Sequence, residues 1–342
     1  MTMGKEIGPI GGLPPEQVVK AAGLVREGRM ISLAAVRFPG MPLFPGHPPF
    51  QVLNYRTPRG IRVTGAQPWG PVNDAGLGYM AEYVMATSHS GAHMDALAHM
   101  TVDDDMHWYG GGNADEHLTD FGPVHGDASR MPPFFTRGVL IDAPGYRGVD
   151  CLPKGSPIDA AEMDAICAAQ GVEVRPWDVV VIRTGYMGLW PDAEAMAAHK
   201  TPGPDISAAR WLLERGVVAT GTDTETYEVQ PAPDPGPTGN PQPVHTALLI
   251  EKGVYIMENL NLEELARDRP EAILRELTDL ATGAPVVHAQ YGVGRYRGLR
   301  TLDVEGCWVL PGLIDPHVHM SSEEDASISE GGSRRRRATT LL

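Results

Sequence analysis

The 342-residue sequence has only three cysteines, at positions 151, 167 and 307. Because these thiols are so few and so scattered, they exclude a disulfide framework and a zinc ribbon, and they fit a reducing cytoplasm. No apolar run is as long as a membrane-spanning helix, and the N-terminus lacks the basic flank and the continuous apolar core of a signal peptide. We therefore expect a cytoplasmic protein with no membrane partner.

Positive charge is also scarce, since 28 Lys and Arg stand against 43 Asp and Glu, which gives a formal net charge of −15. The resulting negative field repels nucleic acids and anionic membranes, so we expect a small-molecule substrate and no nucleic-acid partner. The hydrophobic content of 42% is ample for a sizeable core. The 40 Gly and 31 Pro predict many turns but not a disordered chain.

What the sequence does have is a concentration of metal-binding side chains in residues 89–99, namely His89, His93, Asp95 and His99. Imidazoles and a carboxylate are the side chains that bind catalytic divalent metals. The alternative interpretation is a set of ordinary polar loop histidines.

The spacing of these residues constrains the backbone. On a straight strand His89 and His93 would lie about 13 Å apart, at ~3.3 Å per residue, which is too far to share one ion. A regular helix would bring them together but would turn Asp95 away from His93. We therefore predict a strand that ends near Ser88, a turn at Gly91, and a loop or helical turn after it.

The rest of the chain predicts an α/β fold, because strands alternate with helices through its middle third. The predicted strands span residues 138–142, 179–182, 217–222 and 254–257, and the predicted helices span residues 160–170, 208–215 and 245–252. Towards the N-terminus we expect a helix from Pro15 to about residue 27, a short strand at 30–34, and a strand at 83–88 that leads to the histidines.

Two distant residues are candidates for completing a metal site, because a set of two histidines and one aspartate needs further ligands or water. His245 begins a predicted helix, and Glu258 ends a predicted buried strand. A buried carboxylate has few uses unless it is paired, protonated or bound to metal. From the pattern alone, an alternative to metal binding is equally favoured, in which His245 is only a helix residue and Glu258 pairs with an arginine.

At this point the residues carry a resemblance to a known family. Residues 89–99 resemble the His-x-Gly-Thr-His-x-Asp-x-x-x-His signature of the cyclase family, which includes metal-dependent kynurenine formamidases and isatin hydrolases. Residues 180–185, 221–224, His245 and 258–260 are similar to further landmarks of that family in the same order. The resemblance extends from about residue 14 to residue 262.

The resemblance implies a swivelling β/β/α domain, a Zn or Mn ion, and a homo-oligomer, either a dimer or a tetramer. It implies the following roles: metal ligands His89, His93 and Asp95, further metal or acid/base residues His245 and Glu258, and proton shuttle His99. Ala92 stands where the family usually has Thr, and Leu97 where Pro is common. These departures concern the substrate more than the metal ligands, so we expect a substrate other than those of the two named activities.

Residues 263–342 form a tail that the resemblance does not cover, so we divide the chain into a hydrolase domain, 1–262, and this tail. Residues 263–282 predict a helix broken at Pro270, and residues 321–342 predict disorder. Residues 301–320 resemble the first barrel strand of the cyclic amidohydrolases, with His317 and His319 as its metal-binding pair. Too few residues follow for a barrel, which favours a fusion remnant over a second active site.

The leading hypothesis is a metal-dependent hydrolase that uses metal-activated water to cleave a C–N bond of a cyclic amide, an imide or an aryl formamide. In this hypothesis His99 and Glu258 are the acid/base residues. The aromatic candidates for the pocket wall are Phe44, Phe50, Trp69 and Trp108. The alternatives are a lactone hydrolase of the same family, a hydrolase that uses His317 and His319, and a non-catalytic binding protein stabilised by metal.

Overall fold

The computed structural model describes residues 6–66, 75–267, 285–288 and 292–295, and for the last two ranges only the backbone is described. The chain divides into two units at residue 312, and all described residues lie in the first. The predictions for residues 313–342, His317 and His319 among them, therefore lie outside the described residues.

The described strands, in chain order, are β1 (Gln51–Arg56), β2 (Ala81–Met85), β3 (His93–Met94), β4 (His107–Trp108), β5 (Gly112–Asn113), β6 (Leu118–Thr119), β7 (Gly122–Pro123), β8 (Gly138–Asp142), β9 (Pro157–Ile158), β10 (Val179–Arg183), β11 (Gly203–Pro204), β12 (Ala219–Thr222), β13 (Tyr255–Glu258), β14 (Pro285–His288) and β15 (Gly292–Arg295).

The described α-helices are α1 (Pro15–Ala22), α2 (Pro58–Thr64), α3 (Ala114–His117), α4 (Ala143–Arg147), α5 (Ala160–Gln170), α6 (Ala193–Ala198), α7 (Ile206–Glu214), α8 (Pro243–His245) and α9 (Glu263–Arg267). Short 3₁₀ segments span Pro9–Gly12, Tyr109–Gly111, Ala128–Arg130 and Tyr186–Leu189, and one π-helical turn spans Thr246–Ile250.

A five-stranded sheet in the order β3-β13-β12-β10-β8 forms the centre of the fold. Its strands β13, β12, β10 and β8 are parallel, whereas β3 runs antiparallel to β13 at one edge. The hydrophobic side chains of β10 are fully buried, as expected for a parallel strand with both faces covered. The predicted α/β class is confirmed.

Helices α5 and α7 contribute to the main core; α5 spans the predicted residues, and α7 begins two residues before its predicted start at 208. Asp159 caps α5 by accepting a hydrogen bond from the backbone N–H of Glu162, and Asp205 caps α7 in the same way. Gly171 ends α5 in the left-handed conformation that glycine adopts without strain. A capping aspartate therefore marks the start of each helix, and a glycine marks the end of α5.

The N-terminal predictions agree less well with the structure. Helix α1 ends at Ala22 rather than near residue 27, and among its described residues only Ala21 is buried. Residues 30–34 form no strand. The carbonyl of buried Leu33 accepts a hydrogen bond from the backbone N–H of Asn261 at 2.8 Å, so this segment packs against the core without joining the sheet.

The strand expected at 83–88 is β2, which ends three residues earlier, at Met85. It pairs with β1 in a separate two-stranded antiparallel sheet. The chain then leaves the strand conformation before the histidine segment. Among the described residues, none of the helices combines the length and the hydrophobicity needed to cross a bilayer.

Candidate metal centre

Pairing between β3 and β13 brings two distant parts of the sequence together at the edge of the central sheet. His93 in β3 lies opposite Glu258 in β13, and the backbone N–H of Asp95 donates to the carbonyl of Ile256 at 2.9 Å. The carboxylate of Glu258, at the end of a buried strand, therefore lies beside the histidine segment. Sequence spacing alone could not establish this contact.

The predicted turn is present at Gly91, which has a φ of 68°. It folds the chain back so that Nδ1 of His89 lies 2.8 Å from Nε2 of His93. The Nδ1 of His93 donates to the Gly91 carbonyl at 2.8 Å, which fixes its ring with Nε2 facing the acidic groups. Beyond Gly91, however, the chain first forms strand β3 and only then turns, with the N–H of His99 bonded to the carbonyl of Ala96.

Four of the predicted residues, His89, His93, Asp95 and Glu258, offer ligand atoms that all lie within 4.8 Å of one another. The Nε2 of His93 lies 3.4 Å from Oδ1 of Asp95 and 3.4 Å from Oε2 of Glu258. Nδ1 of His89 lies 3.6 Å from the same Asp95 oxygen. Apart from the 2.8 Å contact between His89 and His93, these atoms face a common point rather than forming short pairwise hydrogen bonds.

The fifth predicted ligand, His245, lies next to this group. Its Nε2 is 3.8 Å from Oδ2 of Asp95 and 3.5 Å from Oε1 of Glu258. Its Nδ1 donates to Oε1 of Glu228 at 2.7 Å, and Glu228 is buried. The structure therefore brings all five predicted ligand residues together. It also adds Glu228, a contact that the sequence analysis did not single out.

Asp95 indicates that this donor set fits a cation. Both of its carboxylate oxygens are buried, and neither has a hydrogen-bond donor. A buried carboxylate without a hydrogen-bond donor is costly, so a charge that complements it is expected at this point. Since two histidines and two carboxylates with this convergence match the ligand preferences of Zn²⁺ and of Mn²⁺, the residues fit a divalent metal.

The electrostatics of the cluster also show that its buried carboxylates favour positive charge beside them. Burial opposes protonation of His93 and His245, but their contacts with carboxylates outweigh it and raise the pKa of each to about 10. Burial lowers the pKa of His89 to about 4. Protons on two of the histidines therefore compensate the buried carboxylates when no metal is bound.

His99, the predicted proton shuttle, lies against the cluster rather than inside it. The centre of its ring is 4.4 Å from that of His89 and 6.5 Å from that of His245. Burial lowers its pKa, so the neutral imidazole is its favoured form. A neutral imidazole at this position can accept a proton.

A cleft beside His89 is lined in part by Phe44, His47, Trp190 and Glu225. Of the four aromatic residues predicted for a pocket wall, Phe44 is in this position. Phe50 and Trp108 are buried at 4% and 3% exposure, and neither lines the cleft. Both are hydrophobic enough to be drawn into the interior, where the indole N–H of Trp108 donates to the His125 carbonyl.

The fourth aromatic residue, Trp69, lies outside the described residues. Trp190 and His47 were not predicted. His47 stacks on His89 with ring centres 4.9 Å apart, and its Nδ1 lies 3.3 Å from the Thr87 hydroxyl. The one feature of the sequence that could have indicated His47 is that it is a histidine within the Pro-rich segment 39–50.

The acidic triplet of residues 103–105 is exposed, and Asp105 contacts His107 at 2.7 Å. Both residues of this pair are on the surface, away from the four-residue cluster. The triplet is therefore a solvated charge run.

Comparison with known proteins provides independent information on the family. The profile of the family described as "Putative cyclase" matches residues 31–229. A crystal structure described as that of a novel cyclase is 26% identical with a TM-score of 0.67, and the match covers 78% of this chain and 85% of that chain. The isatin hydrolase A from Ralstonia solanacearum is 21% identical with a TM-score of 0.50, and covers 75% of this chain and 88% of that chain. The second likeness concerns the fold alone.

Other similarities cover only short stretches of the chain. The profile of the CarD-like/TRCF RID domain matches residues 280–310. The adenine deaminase of Geobacillus kaustophilus is 58% identical over 31 residues, 9% of this chain and 5% of that protein. The transcription-repair-coupling factor of Haemophilus influenzae is 44% identical over 50 residues, 13% of this chain and 4% of that protein. The chain thus spans about one twentieth of the length of these curated relatives.

Proposed function

The chain belongs to the cyclase family, and from this premise we propose that it is a metal-dependent hydrolase that cleaves a C–N bond of a cyclic amide, an imide or an aryl formamide. The family match confirms the family predicted from the sequence, and the hydrolase class is part of the proposal. The metal, the substrate and the roles of individual residues belong to the proposal.

The observation that carries the proposal is the buried carboxylate of Asp95, which has no hydrogen-bond donor and lies among two histidines and Glu258. We assign His89, His93, Asp95, His245 and Glu258 as the residues that would hold a divalent metal, Zn or Mn. A divalent cation held there supplies Lewis acidity, which polarises a substrate carbonyl and makes water more acidic.

His99 is the proposed proton carrier. Because burial keeps its imidazole neutral, it accepts a proton from the attacking water and then returns that proton to the leaving nitrogen. Its contact with the ring of His89 holds it beside the cluster without placing it among the four convergent residues. Glu258 can assist the transfer, since it lies within 3.5 Å of both His93 and His245.

The cleft supports a substrate with a flat apolar part. Phe44 and Trp190 supply aromatic surface beside His89, and Met196 adds an apolar side chain. The isatin hydrolase with the same fold supports a cyclic amide as the substrate. Because Ala92 and Leu97 depart from the family motif, a related cyclic amide is favoured over isatin itself. A lactone offers the same carbonyl with an oxygen leaving group, so lactones are the alternative substrate class.

The experiment that tests the proposal is metal analysis followed by a hydrolysis screen over cyclic amides, imides, aryl formamides and lactones. We expect a bound divalent metal and hydrolysis of at least one C–N substrate, with activity lost on chelation and restored by Zn²⁺ or Mn²⁺. Full activity after verified removal of metal would refute the metal-dependent mechanism. Turnover of lactones alone would instead favour the alternative substrate.

We further propose a cytoplasmic homo-oligomer, either a dimer or a tetramer, with no nucleic-acid partner. One face of the β1–β2 sheet supports association, because Leu53, Tyr55, Tyr83 and Met85 are all more than half exposed there. Apolar patches of this kind mark interaction surfaces. Light scattering on the purified protein measures the mass directly, and a monomeric mass at micromolar concentration would contradict the oligomer.

In this proposal the predicted tail, residues 263–342, is a fusion remnant rather than a second active site, but its first residues belong to the hydrolase domain, because Glu263 pairs with Arg183 and Leu265 is buried in the main core. The match of residues 280–310 to a family other than the cyclases supports a separate origin for this part. A chain that ends after residue 300 lacks His317 and His319 and should keep its hydrolase activity.

A further inference from the structure

The carboxylate of Glu228 accepts three hydrogen bonds, two from His245 and one from Val244. Oε1 accepts from Nδ1 of His245 at 2.7 Å and from its backbone N–H at 2.9 Å. Oε2 accepts from the backbone N–H of Val244 at 3.0 Å. Since the side chain of Glu228 is only 1% exposed, water does not compete for these contacts.

We propose that Glu228 is a positioning residue for the metal centre, which fixes the orientation and the protonation pattern of His245 and thereby sets the affinity for the ion. This inference rests on the proposed function, because it takes His245 as a metal ligand. A carboxylate can only accept from Nδ1, so the hydrogen stays on that nitrogen. The lone pair of a neutral ring is then on Nε2, which faces Asp95 and Glu258.

Two of the three proposed histidine ligands are held by different kinds of acceptor. His93 donates through Nδ1 to the neutral carbonyl of Gly91 at 2.8 Å, whereas His245 donates to an ionisable carboxylate. A carboxylate behind a ligating imidazole makes the ring a stronger electron donor and restricts its rotation. Glu228 is therefore expected to influence the metal more than the Gly91 carbonyl does.

Glu228 also adds negative charge close to the cluster. Glu228, Asp95 and Glu258 are all buried, and within the described part of the chain no Lys or Arg forms an ion pair with any of them. Buried carboxylates without cationic side chains are costly unless another positive charge is present. This arrangement favours a bound cation over the metal-free state.

A purely structural role is the competing explanation, because the same carboxylate receives two backbone N–H groups at the start of α8. In that role Glu228 would stabilise the folded chain whether or not metal is bound. The two explanations differ in the affinity for metal, which a structural cap would leave unchanged.

The test compares Glu228→Gln and Glu228→Ala with the wild-type protein in the full chain. Gln has nearly the same shape and keeps one acceptor oxygen, while Ala removes all three hydrogen bonds. Glu251→Gln is the matched control, because Glu251 is exposed and follows the same helical segment. Affinities for Zn²⁺ and Mn²⁺ are measured by competition with a chromogenic chelator, and melting temperatures are recorded with and without each ion.

We expect Glu228→Ala to weaken the affinity for metal by about 10- to 100-fold, Glu228→Gln to weaken it less, and Glu251→Gln to leave it within about twofold. The increase in melting temperature on adding metal should shrink in the same order. If Glu228→Ala fails to fold, Glu228→Gln decides, with circular dichroism as the check on folding.

A lower metal-free melting temperature with unchanged metal affinity in both Glu228 variants would overturn the inference and leave only a structural cap. This outcome would not touch the proposed hydrolase. Failure of the wild-type protein to bind either ion would overturn the inference together with the metal site on which it rests. Because neither measurement depends on turnover, an unidentified substrate does not affect the result.

Discussion

Arg183 and Glu263 form a two-point ion pair, with Nε donating to Oε1 at 2.7 Å and Nη2 donating to Oε2 at 2.9 Å. Nη1 of the same arginine donates to Oδ1 of Asp142 at 2.9 Å. The guanidinium thereby connects the end of β10 with β8 and with the first residue of α9. The next turn of α9 contributes Leu265, which is 1% exposed and belongs to the main core.

This pair leads to a prediction about where the folded domain ends. A chain that ends after Arg267 should keep the stability of the domain, whereas a chain that ends after Leu262 loses Glu263 and Leu265. Removal of a buried leucine costs about 2–5 kcal/mol, and a half-buried arginine that loses one carboxylate adds to that cost. We expect the shorter chain to unfold at clearly lower urea concentration.

Full-length Glu263→Gln is the control that separates the ion pair from the core contact, since it removes only the charge. Equal urea midpoints for the two shortened chains would contradict the prediction and would place the end of the domain at residue 262.

Substitution of the candidate ligands should separate metal binding from proton transfer. His93→Ala and Asp95→Ala each remove a convergent ligand atom, so we expect both to lose bound metal and turnover. His99→Ala removes a group that lies against the cluster, so it should retain metal while turnover falls by about 10²- to 10⁴-fold. Metal content is measured by elemental analysis after gel filtration, beside initial rates.

Exposed His107 provides a control for the loss of an imidazole elsewhere. His107→Ala should change neither quantity. A His99→Ala protein that loses metal as completely as His93→Ala would show that His99 is a ligand rather than a proton carrier.

The sequence predicted the central part of the fold because its signals there are local. Asp159, Gly171 and Asp205 mark helix ends through hydrogen bonds within a few residues, and the hydrophobic run 179–182 indicates a strand buried on both faces. Residues 30–34 show the same apolar pattern, yet their partner is a single N–H of Asn261. Periodicity cannot distinguish a strand from an extended segment that lacks a neighbour.

The sequence predicted which residues form the metal centre, but not the residue that holds one of them in place. His89, His93 and Asp95 lie within seven positions, so their spacing was visible, and the resemblance to a family added His245 and Glu258. Glu228 was missed because it lies 17 positions before His245 and has no spacing that marks it. Its position depends on how the chain between β12 and α8 folds, which is a property of the tertiary structure.

The two described cysteines should be unreactive in the folded protein. Burial raises the pKa of Cys151 to about 12 and that of Cys167 to about 11. Only the thiolate reacts quickly, so at pH 8 we expect alkylation by iodoacetamide to be at least about 100-fold slower than in urea. Since the folded pKa values are high, each rate should keep rising about tenfold per pH unit from pH 7 to 10.

Peptide mass spectrometry assigns the label to each cysteine separately, which matters because Cys307 lies outside the described residues. A rate for Cys151 that levels off near pH 9 would mean an ordinary thiol and would contradict the prediction.

Buried Asp223 should make the stability depend on pH. Complete burial raises its pKa to about 6, although it accepts hydrogen bonds from Thr184 and Gly185. In the unfolded chain its pKa is about 4. Between these values the folded state holds more protons than the unfolded state, so the free energy of unfolding falls as pH rises. Between pH 4.5 and 7.5 this group should remove about 2 kcal/mol.

The measurement is urea unfolding of the wild-type protein and of Asp223→Asn across that pH range. Asn cannot ionise, so the difference between the two proteins isolates this group from the other carboxylates. Its amide nitrogen would face the N–H of Gly185, so at the low end of the range the variant should be less stable by about 1–3 kcal/mol. We expect this deficit to shrink as pH rises. A deficit that grows with pH would mean that the hydrogen bonds from Thr184 and Gly185 outweigh burial and that the carboxylate is the favoured form.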